Sequence, residues 1–392
     1  MRIRTAYIFL VAALCAGGIG MWRAIYLKEA SAATSPSYLN SWTPAAAANY
    51  LDAREVWWQK WPSAQMDHGT VCISCHTVIP YAMVRPALRQ QLGEKGMTGT
   101  EMTMLASVEK RVKDWSQMTP FYTDEAAGPG KSAQSHATEA VLNTVILSAY
   151  DASHGQLRPI TRTAFDNAWA LQEEAGENAG GWKWQDFHLA PWESTESGYQ
   201  GAALMAVALA HSPDKYASEP AVLEHVERLR SYLNLHYEAQ PLMSQLYVLW
   251  ASAGIPGLLK AADRTELITR IDALQLQDGG WALRSLDQQP GLRRYLQDHW
   301  KQMTGTAESD GCATGLVVLA LEKGGVEPQN ATLRRGLQWL EQHQEKDGSW
   351  RASSLNGPTD PNSDIGRFMS DAATGYAVLA LENAGLETMS RH

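Results

Sequence analysis

Arg335-Gly336-Leu337-Gln338-Trp339-Leu340, then Gln344, then Gly348-Ser349-Trp350, is the stretch that decides the fold. Its second half recurs, with Gln275 before Gly279-Gly280-Trp281 at the same spacing and a looser copy in Trp169, Gln172 and Gly180-Gly181-Trp182. Apolar residues at helical spacing precede each turn: Phe165, Ala168 and Trp169; Leu267, Ile271 and Leu274; Leu337 and Leu340. Runs rich in Ala, Leu, Val and Gly start near Ser132, Ser197, Gln240, Ser309 and Ser370. The helix before a turn carries Glu, Arg and Gln and is expected on the outside. The helix after it, such as Ala313 to Leu321, is apolar nearly all round and is expected on the inside. Gly ends the outer helix, and Trp clamps the turn to its neighbour. The shorter unit near Val222 to Gly257 has no Gly-x-Trp. The pattern predicts an all-α protein, an α/α toroid of about five helical hairpins spanning residues 101–386.

These residues resemble the squalene-hopene cyclase and protein prenyltransferase β-subunit superfamily, whose Gln–Trp motif Arg335 to Trp350 matches at every defined position. The resemblance covers roughly residues 100–386 and assigns most of the 15 Trp to structure. Its chemistry does not carry over. Those cyclases place Asp-x-Asp-Asp before Thr-Ala on an inner helix, and its middle acid protonates an alkene. Here Asp310-Gly311-Cys312-Ala313 stands before Thr314-Gly315, Ser370-Asp371-Ala372-Ala373 stands before Thr374-Gly375, and no Asp-Asp pair occurs in the chain. A thiol with a reference pKa of about 8.5 is far too weak for that protonation, so no cyclisation of this type is expected. The prenyltransferases hold zinc on Asp-x-Cys and a later His. Asp310 and Cys312 match the pair, but Ser370 to Thr374 contains no His, and two ligands do not make a catalytic zinc site.

A second signal lies upstream. Cys72-Ile73-Ser74-Cys75-His76 is the C-x-x-C-H pattern of covalently attached haem c. Two thiols at this spacing reach the two vinyl groups on one porphyrin edge, and the next residue turns its imidazole to the iron. With an expected helix from Ala47 to Trp61, the motif resembles cytochrome c and implies a small helical haem-binding segment over residues 43–124 ahead of the toroid. A thioredoxin-like pair would need a helix opening at the first Cys, and a zinc site would need a second Cys pair. The distal iron ligand is open: Met118 in a loop after a helix, Met83, His68, Met97, Met102, Met104, or none.

Arg2 and Arg4 precede an uncharged run of 18 residues, Thr5 to Trp22, and Arg23, Lys28 and Glu29 follow before Ala30-Ser31-Ala32-Ala33. This reads as an export signal over residues 1–33, either cleaved or kept as a membrane anchor through residues 5–22. Leu14 before Cys15 does not fit a lipoprotein site. A periplasmic or other extracytoplasmic location follows, and covalent haem attachment occurs there too. The chain has 392 residues, 45% hydrophobic, with a net charge of −9, which argues against a nucleic-acid partner.

The inner helices begin with small polar residues, and in a toroid these ends meet at one mouth. Capping accounts for many of the Ser and Asp residues there. Candidate site residues beyond the caps are His136, Glu139, Glu196, Tyr199, Asp310, Cys312 and Asp371. The leading expectation is a mono-haem c protein that passes electrons to a redox partner. A haem-dependent oxidoreductase acting on an isoprenoid-like apolar substrate in the toroid is a second reading. A non-catalytic lipid- or protein-binding module is a third.

Overall fold

The computed structural model describes residues 37–287, 308–352, 354–356 and 359–389. The expected export or anchor segment, residues 1–33, lies outside them. Among the described residues no helix is long and apolar enough to cross a membrane.

Among the described residues, twelve helices of eleven residues or more alternate between two layers. The outer ones are α1 (Pro44–Lys60), α3 (Gly99–Lys113), α5 (Pro159–Trp169), α7 (Leu223–His236), α9 (Ala261–Leu274) and α11 (Ala331–Gln342). The inner ones are α2 (Val78–Gln91), α4 (Lys131–His154), α6 (Ser197–His211), α8 (Leu242–Ser252), α10 (Gly311–Lys323) and α12 (Phe368–Met389). Among the described residues no strand forms, only isolated bridges. Each inner helix packs on the next, and α12 packs back on α2, so the inner layer is a closed ring. The all-α toroid expected from the sequence is therefore observed.

Hydrophobic pattern places the layers. In α10 every residue from Gly311 to Glu322 is buried, as a helix flanked on all sides requires. In α11 only Leu333, Gly336, Trp339 and Leu340 are buried, a single stripe facing α10. The helix starts are capped: Asp310 accepts from the N–H groups of Cys312 and Ala313, and Asn330 from that of Leu333.

The repeated motif works as a two-sided staple. Trp182, Trp281 and Trp350 donate through Nε1 to carbonyls of the outer helix just completed, at Ala168 (2.7 Å), Ile271 (2.9 Å) and Leu340 (2.9 Å). The glutamine reaches forward. Gln172 Nε2 donates to Gly180 O and to His225 O in the next outer helix, and Gln275 Nε2 to Gly279 O and Thr332 O. Gln344 does the same, but its next outer helix is the first one: Nε2 donates to Gly348 O (3.0 Å) and Thr43 O (3.2 Å), while Oε1 accepts from Thr43 N (2.6 Å). The last turn thus docks on the first helix by the contact that joins any two neighbours. Gly348 is required at this joint. Its φ is +94°, and a Cβ would collide with the carbonyl of Ala46.

Two expectations are corrected here. The ring has six hairpins among the described residues, and residues 43–124 are not a cytochrome c-like segment set ahead of a toroid starting at residue 101. Helices α1 and α2 are the first hairpin, with α2 between α12 and α4. The backbone at Gly375 in α12 comes so close to Pro80 in α2 that a side chain would not fit between them. The turn between α1 and α2 is a worn copy of the motif. Met66 N donates to Thr70 O (2.9 Å), as Leu276 N does to Gly280 O and Glu345 N to Ser349 O. This aligns Gln65 with Gln344, Gly69 with Gly348, and Val71 with Trp350. The Trp is absent and Gln65 bonds only within its own hairpin, to Gln59 O and Trp61 O, so the period was lost in the sequence.

Glu55 of α1 is a buried carboxyl of this first hairpin. One oxygen accepts from Gln59 Nε2 (2.9 Å), and the other is buried without a partner. Burial pushes it up to about 7, against a smaller downward pull from Gln59. The folded state therefore holds this proton more tightly than the unfolded chain does. The associated stability is intact below the unfolded pKa near 4.5 and is lost as pH rises through about 7. Glu55→Gln is expected to match the wild type at pH 4 and to be more stable by about 3 kcal/mol at pH 8. Urea unfolding at the two pH values measures this, and an equal difference at both would refute it.

Candidate functional site

The Cys72–His76 segment leaves the worn turn and enters the mouth of the ring, where the N-terminal ends of the inner helices meet. Two short bonds set its course. Cys72 N donates to Ala64 O (2.8 Å), and Trp58 Nε1 donates to Cys72 O (2.7 Å). Ser74 Oγ then accepts from the N–H groups of Thr77 and Val78 and starts α2.

Both thiols are free and half-buried. Loss of solvent raises each above the ordinary thiol range, and Glu139 and Glu193 near Cys72, and Glu193 near Cys75, add to this. A thioredoxin-type pair needs the opposite, an acidic thiol at a helix N-terminus. Helix α2 instead begins after Cys75. Among the described residues no three His, Cys, Asp or Glu side chains are grouped as metal ligands.

His76 is enclosed by rings from both ends of the chain. Phe368 of α12 stacks on it at 3.7 Å between centroids, with Trp58 edge-on at 5.3 Å and Trp192 tilted at 5.8 Å. Desolvation, reinforced by the Arg54 cation, pushes the imidazole down to about 3, so it is neutral. Its Nδ1 lies 2.9 Å from Thr77 Oγ1. Thr77 Oγ1 donates to Asp371 Oδ2 (2.7 Å), and Asp371 Oδ1 accepts from Tyr50 OH and Arg54 Nε, each at 2.8 Å. The other ring nitrogen, Nε2, has no hydrogen-bond partner in this network. Two unpaired thiols at C-x-x-C spacing and a neutral imidazole anchored through Nδ1 are the donor set of haem c, and the residues fit that group.

Of the sequence candidates, Asp371 and Glu139 are brought to this segment. Glu139 is buried against Arg111, with Nε at 2.5 Å and Nη2 at 3.0 Å, and Arg111 also holds Asp67 and Thr70 of the worn turn. Met118 is buried, but its sulphur faces Arg111 Nη1 at 4.0 Å, on the α3–α4 side of the mouth, whereas the rings around His76 come from α1, α12 and the loop before α6. Met83 packs against the core, Met104 is buried, Met97 and Met102 are exposed, and His68 is half-exposed near Asp67.

The other candidates stand apart. Asp310 is consumed as a cap: Oδ1 accepts from Cys312 N and Ala313 N, and Oδ2 from Leu283 N (2.5 Å). Burial raises its carboxyl to about 6, partly offset by these backbone donors. Cys312 is fully buried beneath it. Tyr199 turns outward and donates to Leu233 O. Glu196 borders a minute cavity with Gln200 and Ser244. His136 stacks on Trp115 at 4.1 Å and lines an open cleft of about 430 Å³ with Ala137, Leu171, Glu173 and Lys183. In the interior, the buried hydroxyls of Tyr247 in α8 and Tyr376 in α12 hydrogen-bond to each other, with Cys312 and Cys75 near them.

Sequence reading missed Thr77, Tyr50, Arg54, Trp58, Trp192 and Phe368. Thr77 follows the motif directly, and Tyr50 and Arg54 are one helical turn apart, so their shared face was legible. Their common partner, more than 300 residues away for Tyr50 and Arg54, was not.

Residues 263–370 match the family model of the squalene-hopene cyclase C-terminal domain. The match runs from α9 to the start of α12 and includes two full Gly-x-Trp turns, Asp310 and Cys312, but not Cys72, Cys75 or His76. No curated protein matches the chain. The protein therefore carries a terpene-cyclase-like C-terminal domain within an all-helical toroid.

Proposed function

We propose that this protein is an exported c-type cytochrome built into a cyclase-like toroid, with one haem joined to Cys72 and Cys75 and ligated by His76, and that it transfers electrons to a redox partner. One observation carries this reading: Nδ1 of His76 is engaged by Thr77, which is itself fixed by Asp371, so the ring is oriented with Nε2 left for a metal. When bound, the haem would supply a one-electron couple. Cys72 and Cys75 would hold it, Phe368, Trp58 and Trp192 would shield the proximal imidazole, and Glu139 with Arg111 would set the charge beside Cys72. An extracytoplasmic location, with residues 5–22 as signal or anchor, belongs to this proposal because covalent attachment takes place outside the cytoplasm.

The second reading, oxidation of an isoprenoid-like substrate inside the ring, is less favoured. Tyr247 of α8 and Tyr376 of α12 meet through their buried hydroxyls across the interior that such a chain would enter. Protonation of a polyprene is not part of either reading, since the Asp310 carboxylate is spent on three backbone N–H groups. The test is purification of the full chain from cells with a haem-maturation system, followed by absorption spectra with and without carbon monoxide. Covalently held haem is expected. Ready binding of carbon monoxide to the reduced iron would promote the second reading, and absence of covalent haem would overturn both.

A further inference from the structure

We infer that Asp371, acting through the Thr77 hydroxyl, dictates which nitrogen of His76 carries the proton, and so makes Nε2 the nitrogen free to meet iron. Where it concerns iron, this rests on the haem reading above. Where it concerns the proton, it does not.

The inference follows from counting protons. Burial raises the Asp371 carboxyl, opposed by the Arg54 guanidinium and by the Thr77 and Tyr50 hydroxyls, and paired with that guanidinium its two oxygens accept: Tyr50 OH and Arg54 Nε donate to Oδ1, and Thr77 donates to Oδ2. A hydroxyl has one proton, and Thr77 has spent it on Asp371. Towards His76 Nδ1, 2.9 Å away, Thr77 Oγ1 can only accept. Nδ1 must therefore carry the hydrogen, and Nε2 keeps the lone pair. Asp371 is a positioning residue, supplied by the last hairpin to a ligand on the first.

The amide of Asp371→Asn reverses this chain. Its oxygen stays with the two donors Tyr50 and Arg54, which turns its NH2 towards Thr77. Thr77 now accepts from Asn, its own proton swings to His76 Nδ1, and the imidazole hydrogen moves to Nε2. Thr77→Val removes the link, and Thr77→Ser retains it.

The full chain, labelled with nitrogen-15 in histidine and prepared without haem, reports the tautomer by two-bond nitrogen–proton correlations. His76 is assigned by its loss in His76→Ala. Wild type and Thr77→Ser are expected to show Nδ1–H, and Asp371→Asn to show Nε2–H. In the haem-loaded chain, Asp371→Asn and Thr77→Val are expected to raise the reduction potential, because an imidazole without this acceptor is a weaker donor, while Thr77→Ser keeps the wild-type value. A folded Asp371→Asn with the wild-type tautomer overturns the inference. If that variant does not fold, the threonine pair decides: equal potentials for Thr77→Val and Thr77→Ser also overturn it. A wild-type chain that takes no haem but shows Nδ1–H defeats the haem reading and leaves the tautomer assignment standing.

Discussion

Full-length protein in which both Cys72 and Cys75 are replaced by Ala is expected to retain no haem after acid–acetone extraction, against complete retention in the wild type. Each single replacement should leave one thioether and a weakened yield. His76→Ala should spare part of the attachment and alter the spectrum, because only the bond to iron is lost. The result can be separated from misfolding. The thiols are free and half-buried, and no disulfide is lost with them. The worn turn is held by Met66, Thr70 and Ala64 through their backbone groups. The melting curve of the double variant should therefore match that of haem-free wild type. Full retention of extractable-resistant haem in the double variant would end the c-type assignment.

Trp350→Ala should destabilise the fold by about 3–5 kcal/mol, since an indole removed from a closed site leaves a cavity that the surroundings fill only in part. The ring is 0% exposed. Its Nε1 donates to Leu340 O near the end of α11, and its backbone N donates to Thr374 Oγ1 (3.1 Å) in α12, so truncation also leaves that helix-end carbonyl with the His343 N–H as its remaining donor. Trp57, half-buried on α1 beside Trp61 and Arg54, is the control and should cost much less when truncated. Gly348→Val should add to the argument from the backbone side, through its positive φ and the collision with Ala46. Urea unfolding of the three variants gives the comparison. An unchanged midpoint for Trp350→Ala would mean that the turn is held by other contacts.

The legibility of this fold follows the reach of its contacts. Gln344, Gly348 and Trp350 bond to partners within about ten residues, so their spacing survives in the sequence as a motif and announces outer and inner helices. Their other function, docking on the next outer helix, is local for Gln275 and Thr332 in the sense of one repeat, but spans the ring for Gln344 and Thr43. The hairpin that closes the ring could not be read for that reason, and the first hairpin was read as a separate segment because Val71 stands where the Trp would be. The site divides in the same way. Cys72, Cys75 and His76 are contiguous and could be named. Asp371 could be singled out only as a polar residue at an inner-helix start, and its role had to wait for the fold to bring it to Thr77. Asp310 looked equivalent, yet its carboxylate turns back onto its own helix and the Leu283 N–H.

The enclosure of His76 also has an order in time. The chain is made from its N-terminus, and the motif emerges with α1 and α2 while Phe368 and Asp371 still lie 292 and 295 residues ahead. Until the sixth hairpin arrives, one face of the imidazole has no Phe368 and the Thr77 hydroxyl has no Asp371. On the proposed haem reading, an enzyme that handles both cysteines and the histidine would meet them on an open hairpin for most of synthesis. The last repeat would then shut the same surface, so that on this reading the sequence order of the two ends sets modification first and the seal after.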